Sequence, residues 1–329
     1  MTQQEAFLNV KGLQVAVKKA DRSLYPVNVV DLEIPRSTVV GLVGESGCGK
    51  SMTAQAILGL PAKGARIVDG SVMLRDVDLT QCTDRQLQTI VGNQIAMIFQ
   101  DPMTSLNPTV RIGKQVEEVL LLHTKLNRTE RKQKVIEMLK KVGIPDAEER
   151  YRAYPHQLSG GLRQRVVIAM AMICEPELLI ADEPTTALDV TIENQILKLM
   201  VKLKQEHGTS ILLISHNLGV ISSMCDVVHV MYLGEIVETA TTDVLLSEPI
   251  HPYTQGLIVC LPKISQGHQM LSNIPGSVPD LEHIPQGCRF CDRCQFAEER
   301  CRKEHPPLVD AGNGHLVRCF RCEKKVDQP

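Results

Sequence analysis

Eight consecutive residues have the spacing of a phosphate-binding loop, G-x-x-x-x-G-K-S/T: Gly44, Glu45, Ser46, Gly47, Cys48, Gly49, Lys50 and Ser51. Glycines at this spacing let consecutive backbone N–H groups curl around phosphate oxygens. Lys50 would reach the β- and γ-phosphates of a nucleotide, and the hydroxyl of Ser51 would ligate Mg²⁺. The apolar run at 39–43 predicts a buried strand before the loop, and 51–60 predicts the helix after it. The sequence therefore predicts a nucleotide-binding site.

Two carboxylates follow a second predicted strand. The apolar residues 178–181 lead directly into Asp182 and Glu183. Such a strand is buried on both faces and delivers the acids to the carboxyl edge of a parallel sheet, where ligands bind. Asp182 would hold Mg²⁺ through water, and Glu183 would polarise the water that attacks the γ-phosphate.

Further polar residues stand at defined points between and after these motifs. Gln100 follows a predicted strand at 97–99, and His216 follows another at 210–215. The sequence Leu-Ser-Gly-Gly occupies 158–161, and Ala-Leu-Asp occupies 187–189. The order of all these motifs resembles the ATP-binding-cassette (ABC) ATPase family over roughly residues 5 to 240.

This resemblance assigns roles to single residues. Gln100 would bind Mg²⁺ and the attacking water, His216 would contact the γ-phosphate, and Asp189 would lie at the seam between two ATPase subunits. The Leu-Ser-Gly-Gly stretch at 158–161, called the signature motif, would close over the nucleotide bound to a partner subunit. ATP would thereby join two subunits in a head-to-tail dimer. The contacting residues of the motif would be Ser159, Gly160 and Gly161, which offer hydroxyl and N–H donors at a helix N-terminus.

One departure from the family concerns the adenine base. The family places an aromatic ring on the loop after the first strand, whereas residues 13–19 contain none. Tyr25 is the only aromatic residue between Phe7 and the phosphate-binding loop. It would either stack on adenine or anchor a surface hairpin.

The motifs predict an α/β fold with two parts. Residues 1–245 would form an ABC-type nucleotide-binding domain, with a parallel sheet, an N-terminal antiparallel β part and a helical insert at about 106–158. Helical periodicity in the insert covers 111–123 and 129–142. Residues 246–329 would form a small, irregular C-terminal extension.

The extension is rich in proline and cysteine. Six of the chain's eleven cysteines fall between Cys288 and Cys322, which in a reducing compartment points to a metal rather than to disulfides. Two C-x-x-C pairs would suit a tetrahedral structural Zn²⁺. They are Cys288 with Cys291, and Cys319 with Cys322.

The extension also resembles that of ATPase subunits from oligopeptide and dipeptide importers. The similar stretches are 251–255 (HPYTQ) and 274–279 (IPGSVP), together with 97–108 and 181–191 in the core. In the dipeptide branch, an iron–sulfur motif has a spacing like that of four cysteines here, which would hold a 4Fe–4S cluster, with zinc as the alternative. These are Cys288, Cys294, Cys301 and Cys319.

The importer resemblance also implies a set of partners. It implies a bacterial or archaeal uptake system with two membrane permease subunits, an extracytoplasmic substrate-binding protein and a paralogous ATPase subunit. That paralogue would form a heterodimer with this chain, and a dimer of the chain with itself remains open. The identity of the cargo is not encoded in these motifs.

Composition limits the alternatives. The net charge is −2 with both signs mixed, so no basic stripe argues for nucleic acid. The longest apolar runs, such as 166–174, are too short to span a membrane, so we expect a peripheral protein on the cytoplasmic face of the membrane. The runner-up is a cassette ATPase that acts on nucleic acid and carries a zinc site, which would need a basic surface or a second cassette.

Overall fold

A computed structural model describes residues 6–19, 22–186, 188–260 and 274–322. Ala187 and parts of the predicted extension (261–273 and 323–329) lie outside the described residues. The strands are β1 (Ala6–Lys19), β2 (Arg22–Pro35), β3 (Val39–Val43), β4 (Ala65–Leu74), β5 (Val77–Asp78), β6 (Ile95–Ile98), β7 (Leu178–Asp182), β8 (Ser210–Ser215), β9 (Val227–Tyr232), β10 (Glu235–Thr241), β11 (Val309–Asp310) and β12 (Leu316–Val317). The helices are α1 (Lys50–Ile57), α2 (Asp84–Ile90), α3 (Pro102–Ser105), α4 (Ile112–His123), α5 (Arg128–Lys141), α6 (Ala147–Arg150), α7 (Gly160–Met172), α8 (Val190–His207), α9 (Leu218–Met224), α10 (Thr242–Ser247), α11 (Pro252–Val259) and α12 (Glu299–Lys303).

The chain divides into two compact units, which we name after their candidate functional residues. The carboxylate unit contains Ile34–Thr38 and Gln81–Ile214. The P-loop unit contains Ala6–Glu33, Val39–Thr80 and, of the described residues, 215–322.

In the P-loop unit, the phosphate-binding loop begins at the end of a buried parallel strand. β3 pairs in parallel with β9 from Val40↔Val227 to Val43↔Val230, and all five residues of β3 are buried. β9 continues antiparallel into β10. The loop after Val43 thus leaves from the carboxyl edge of the sheet, where ligands bind in α/β folds.

A second sheet in this unit confirms the predicted antiparallel N-terminal part. Its strand order is β2-β1-β4-β5, with β1 and β4 antiparallel. Leu8 and Val10 of β1 are fully or almost fully buried. They share one face of the strand, because alternate side chains of a strand point to the same side.

In the carboxylate unit, three parallel strands carry the predicted site residues to one edge. β6 pairs with β7, and β7 pairs with β8 up to Asp182↔Ile214. Every residue of β7 and β8 is buried. Because the strands are parallel, the residues that follow them, including Gln100 and Glu183, leave from the same side of the sheet.

The helical insert folds as the periodicity predicts, to within a residue or two at each end. α4 and α5 bury Val116, Leu120 and Leu139. Asn127 begins α5, and its side chain accepts hydrogen bonds from the N–H groups of the first turn while Glu130 bonds back to the Asn127 N–H. This capping box satisfies donors that the helix itself leaves unpaired.

The C-terminal extension is more regular than the sequence predicted. β12 pairs antiparallel with β10, as in Thr239↔Leu316, and β11 pairs with β12. Two-residue strands are too short to give a periodic pattern, so sequence analysis could not detect them. Glu238 of β10 is fully buried, and its carboxylate accepts from the N–H groups of Ile250 and His251 and lies 2.7 Å from His315 Nε2.

Within the described ranges, none of the helices combines the length and the apolar character that crossing a membrane requires.

Candidate nucleotide-binding site

The phosphate-binding loop needs its glycines because other backbone passes very close to it. A Cβ on Gly44 would stand 2.2 Å from the carbonyl oxygen of Met231, and a Cβ on Gly49 would stand 2.3 Å from that of Pro26. Gly49 also has φ +107°, in the left-handed region that side chains disfavour. The loop can therefore follow this path only with glycine at these two positions.

Lys50 lies inside this loop, at the start of α1. Its Nζ donates to the carbonyl oxygens of Gly44 (2.7 Å) and Glu45 (2.9 Å), and the residue is only 5% exposed. The ammonium thus points to the concave side of the loop, as expected for a lysine that meets the β- and γ-phosphates. Ser51 follows it in the first turn of the helix.

The loop residue Glu45 has partners that sequence analysis missed. Its carboxylate forms two hydrogen bonds with Arg293, and its N–H donates to the hydroxyl of Tyr253 over 2.8 Å. Tyr253 belongs to the HPYTQ stretch at 251–255, which in the sequence indicated only the resemblance to importer ATPase subunits. No local pattern pairs these residues, because they lie more than two hundred positions apart in the chain.

The carboxylate unit brings two predicted catalytic residues into contact. Gln100 Nε2 donates to Glu183 Oε2 over 2.9 Å, and the hydroxyl of Thr186 donates to the same oxygen over 3.0 Å. The backbone of Glu183 has φ +45° and is fixed by an N–H···O bond of 2.9 Å to Ile214. Non-glycine residues in this region are uncommon and cluster at functional sites.

Asp182 precedes Glu183 at the last position of β7 and is only 3% exposed. The loop that follows is tied to the signature helix, because Gln164 Nε2 donates to the carbonyl oxygen of Pro184 over 2.6 Å. Gln164 is a buried residue of α7 that carries no motif signal.

The signature residues lie at the start of α7. Ser159 is the N-cap of this helix and accepts a hydrogen bond from the N–H of Leu162 (3.4 Å). Ser159 and Gly160 are both exposed. Asp189, the predicted seam residue, caps α8 in the same way by accepting from the N–H of Ile192 (2.9 Å).

Two further predicted residues are exposed. His216 directly follows β8, and the next residue, Asn217, caps α9. Tyr25 lies on β2 with 40% of its surface exposed. Its exposed ring is available for stacking.

The cysteines of the extension share one cavity of about 20 Å³. Its lining contains five of the six clustered cysteines, namely Cys288, Cys291, Cys294, Cys301 and Cys319, and the aromatic rings of Phe290, Phe296 and Phe320. Burial raises the pKa of the Cys288 thiol to about 12 and that of Cys319 to about 11, and the charges of neighbouring cysteines add to this effect. These thiols would lose their protons only to a strongly bound cation.

Across the described parts of the chain, no group of three or more His, Cys, Asp or Glu side chains stands where it could hold a metal ion. The donor set still fits a thiolate-bound cluster in its chemistry, because all four predicted cluster cysteines line the same cavity. Cys322, which the zinc alternative requires, is fully buried and is not among the residues that line it.

Comparison with known proteins gives matches to both predicted parts. Residues 27–186 match the ABC transporter family, and residues 237–301 match the C-terminal region of oligopeptide/dipeptide transporters. The chain is 48% identical to the oligopeptide transport ATP-binding protein AppD of Bacillus subtilis over 97% of both chains. It is 42% identical to the dipeptide transport ATP-binding protein DppD of the same organism, over 98% of this chain and 97% of that one.

A solved structure matches the fold. The ATP-binding cassette MJ0796, a dimer in a post-hydrolysis state bound to ADP and Pi, superimposes with a TM-score of 0.65 and 26% identity. The match covers 71% of this chain and 98% of that chain.

Proposed function

Because the chain belongs to the family of oligopeptide and dipeptide transport ATP-binding proteins and is an ABC-type ATPase, we propose that it drives peptide uptake through a separate membrane permease. The similarity over nearly the full chain carries this proposal, because it includes the C-terminal region as well as the cassette. A nucleic-acid function finds no support among the matches, which are transport proteins.

In the proposed reaction, ATP binds with its phosphates in the loop from Gly44 to Ser51. Lys50 would neutralise charge on the β- and γ-phosphates, while Ser51, Gln100 and Asp182 would hold Mg²⁺. The inward direction of the Lys50 ammonium supports its role. Tyr25 would stack on the adenine ring, and His216 would contact the γ-phosphate.

Glu183 is the proposed general base. Two donors on Oε2, from Gln100 and Thr186, fix the rotamer of its carboxylate, so the group is held in one direction before a water binds. Fixed catalytic groups avoid the cost of reorganisation during the reaction. The water that Glu183 polarises would attack the γ-phosphorus and pass a proton to the Glu183 carboxylate. The bond between the γ-phosphorus and the β–γ bridging oxygen would break, leaving ADP and inorganic phosphate.

The exposure of Ser159 and Gly160 supports a dimeric mechanism. Ser159, Gly160 and Gly161 would close over ATP bound to a second ATPase subunit. We propose a paralogous subunit as that partner, giving a heterodimer that works with two permease subunits and an extracytoplasmic binding protein. The chain would then sit peripherally on the cytoplasmic face of the membrane.

The cysteine cavity is the proposed site of a 4Fe–4S cluster held by Cys288, Cys294, Cys301 and Cys319, with Zn²⁺ as the alternative. The bonds between the cluster and its cysteines would crosslink and stabilise a segment that has little apolar core of its own. Anaerobically purified protein should contain roughly four irons per chain. Changing Cys294 or Cys301 to serine should remove the iron, whereas Cys322→Ser should retain it. Iron-free protein with one zinc, insensitive to the first two changes, would refute the cluster.

A genetic experiment tests the uptake proposal. A strain that lacks this gene should fail to grow on short peptides as its only nitrogen source, and the intact gene should restore growth. Lys50→Ala should not restore it, although the protein is made. Full growth on peptides without the gene, in a strain with no second peptide importer, would contradict the proposal.

A further inference from the structure

A partly buried ion pair joins the cysteine-rich segment (274–322) to the phosphate-binding loop. Arg293 lies in the one-turn helix Cys291–Arg293, and only 4% of its side chain is exposed. Its Nη1 and Nη2 donate to the two carboxylate oxygens of Glu45 over 2.6 and 3.0 Å. A bidentate pair fixes direction as well as distance. Because Glu45 is the second residue of the loop, Arg293 holds the loop itself.

Each polar group of Glu45 has a partner that bears on the loop. Its N–H donates to the hydroxyl of Tyr253, which is fully buried and whose ring packs 4.7 Å from that of Tyr232. Its carbonyl oxygen accepts from the ammonium of Lys50. Together with the carbonyl oxygen of Gly44, Glu45 therefore helps to fix the position of the Lys50 ammonium.

The cysteine-rich segment in turn holds Arg293. Its Nε donates to the carbonyl oxygen of Pro275 over 2.9 Å, and its guanidinium carbon lies 5.8 Å from the ring centre of Tyr232. The residue falls between Cys291 and Cys294, which both line the cysteine cavity. Its direction thus depends on how the segment folds around that cavity.

We propose that Arg293 is a positioning residue for the phosphate-binding loop, through which the cysteine-rich segment sets the affinity for ATP. Arg293 acts through Glu45 and does not itself bind phosphate. Without it, the loop would adopt its binding form for only part of the time, and the apparent Kd rises in inverse proportion to that fraction. The inference rests on the proposed binding of ATP at the loop.

Three variants of the full chain test the pair: Arg293→Gln, Glu45→Gln and the double variant. Each single change should raise KM for ATP about tenfold, while kcat at saturating ATP stays within about twofold, because bound ATP restores the loop. The double variant should also lose about tenfold rather than a hundredfold, because both changes remove the same interaction. Additive losses in the double variant, or an unchanged KM in the single variants, would overturn the proposal.

Control variants separate positioning from folding. Arg302→Gln breaks an exposed ion pair with Asp292 (3.1 Å) in the same segment and should leave KM unchanged. Should Arg293→Gln fail to fold, Arg293→Lys keeps the charge without the fork and should give an intermediate KM. A fall in kcat with KM unchanged would mean a merely structural role and would refute the inference.

Lys50→Ala tests the proposed binding of ATP at the loop separately from the role of Arg293. If Lys50→Ala binds ATP normally, the proposed nucleotide site itself is wrong. If Lys50→Ala abolishes ATP binding while Arg293→Gln leaves KM for ATP unchanged, the nucleotide site is correct and only the positioning role of Arg293 is wrong.

Discussion

Replacing Glu183 with glutamine tests the proposed chemistry with little disturbance of the structure. Glu183 Oε2 accepts two hydrogen bonds, from Gln100 at 2.9 Å and from Thr186 at 3.0 Å. The amide oxygen of glutamine can accept both, so the side chain should keep its rotamer. What the variant loses is the charge and the ability to take a proton from water.

The expected loss follows from that difference. A positioned general base contributes about 10²–10⁴-fold to the rate, which corresponds to about 2.7–5.4 kcal/mol of barrier. ATP affinity should be unchanged, because Lys50 and the loop N–H groups are intact. With binding kept and hydrolysis stopped, dimers closed around ATP should accumulate.

Phosphate release under saturating ATP measures the rate, and size-exclusion chromatography with ATP measures the trapped dimer. Thr186→Ala is the matched control, because it removes one hydrogen bond to the same oxygen but keeps the base. It should cost less than Glu183→Gln, because a single hydrogen bond to a charged group is worth about 1.5–3 kcal/mol, against about 2.7–5.4 kcal/mol for the base. If Glu183→Gln turns over ATP at a rate near that of the unchanged protein, Glu183 is not the base.

Four further results are expected. Lys50→Ala should abolish tight ATP binding, measured by calorimetry, because the ammonium is the loop's phosphate partner. Ser159→Arg should bind ATP at its own loop yet fail to form the ATP-dependent dimer seen by chromatography; normal dimers would exclude the head-to-tail arrangement. Tyr25→Ala should weaken ATP binding by about 1–3 kcal/mol if the ring stacks on the base, and unchanged affinity would make it structural. Burial lowers the pKa of His229 to about 4 and that of His251 to about 3. Below about pH 6.5 these residues therefore become protonated only in the unfolded chain, so the free energy of unfolding, measured with urea, should fall as the pH drops. His229→Gln should weaken that pH dependence.

Sequence analysis predicted the parts of the site that are built from local patterns. The strand, loop and helix around Lys50 are contiguous in the chain, so spacing alone specified them. The contact between Gln100 and Glu183 could be anticipated because each follows a buried parallel strand, and such strand ends meet at one edge.

The long-range supports of the site could not be predicted in this way. Arg293 and Glu45 are 248 positions apart, and an arginine between two cysteines reads as an ordinary surface charge. The link from Gln164 to the carbonyl of Pro184 likewise depends on how α7 packs, and a single glutamine in an apolar helix carries no signal of it. Such contacts depend on tertiary packing, and local patterns in a single sequence do not indicate which distant residues will meet.

Peptide uptake by reconstituted vesicles tests the central claim most directly. Proteoliposomes that contain the permease subunits, the paralogous ATPase, the peptide-binding protein and this chain should accumulate a labelled peptide only when ATP is supplied on the side of the ATPases. The same vesicles made with Glu183→Gln should bind ATP but accumulate no peptide. Peptide accumulation that continues at an undiminished rate with the variant, or without ATP, would contradict the account.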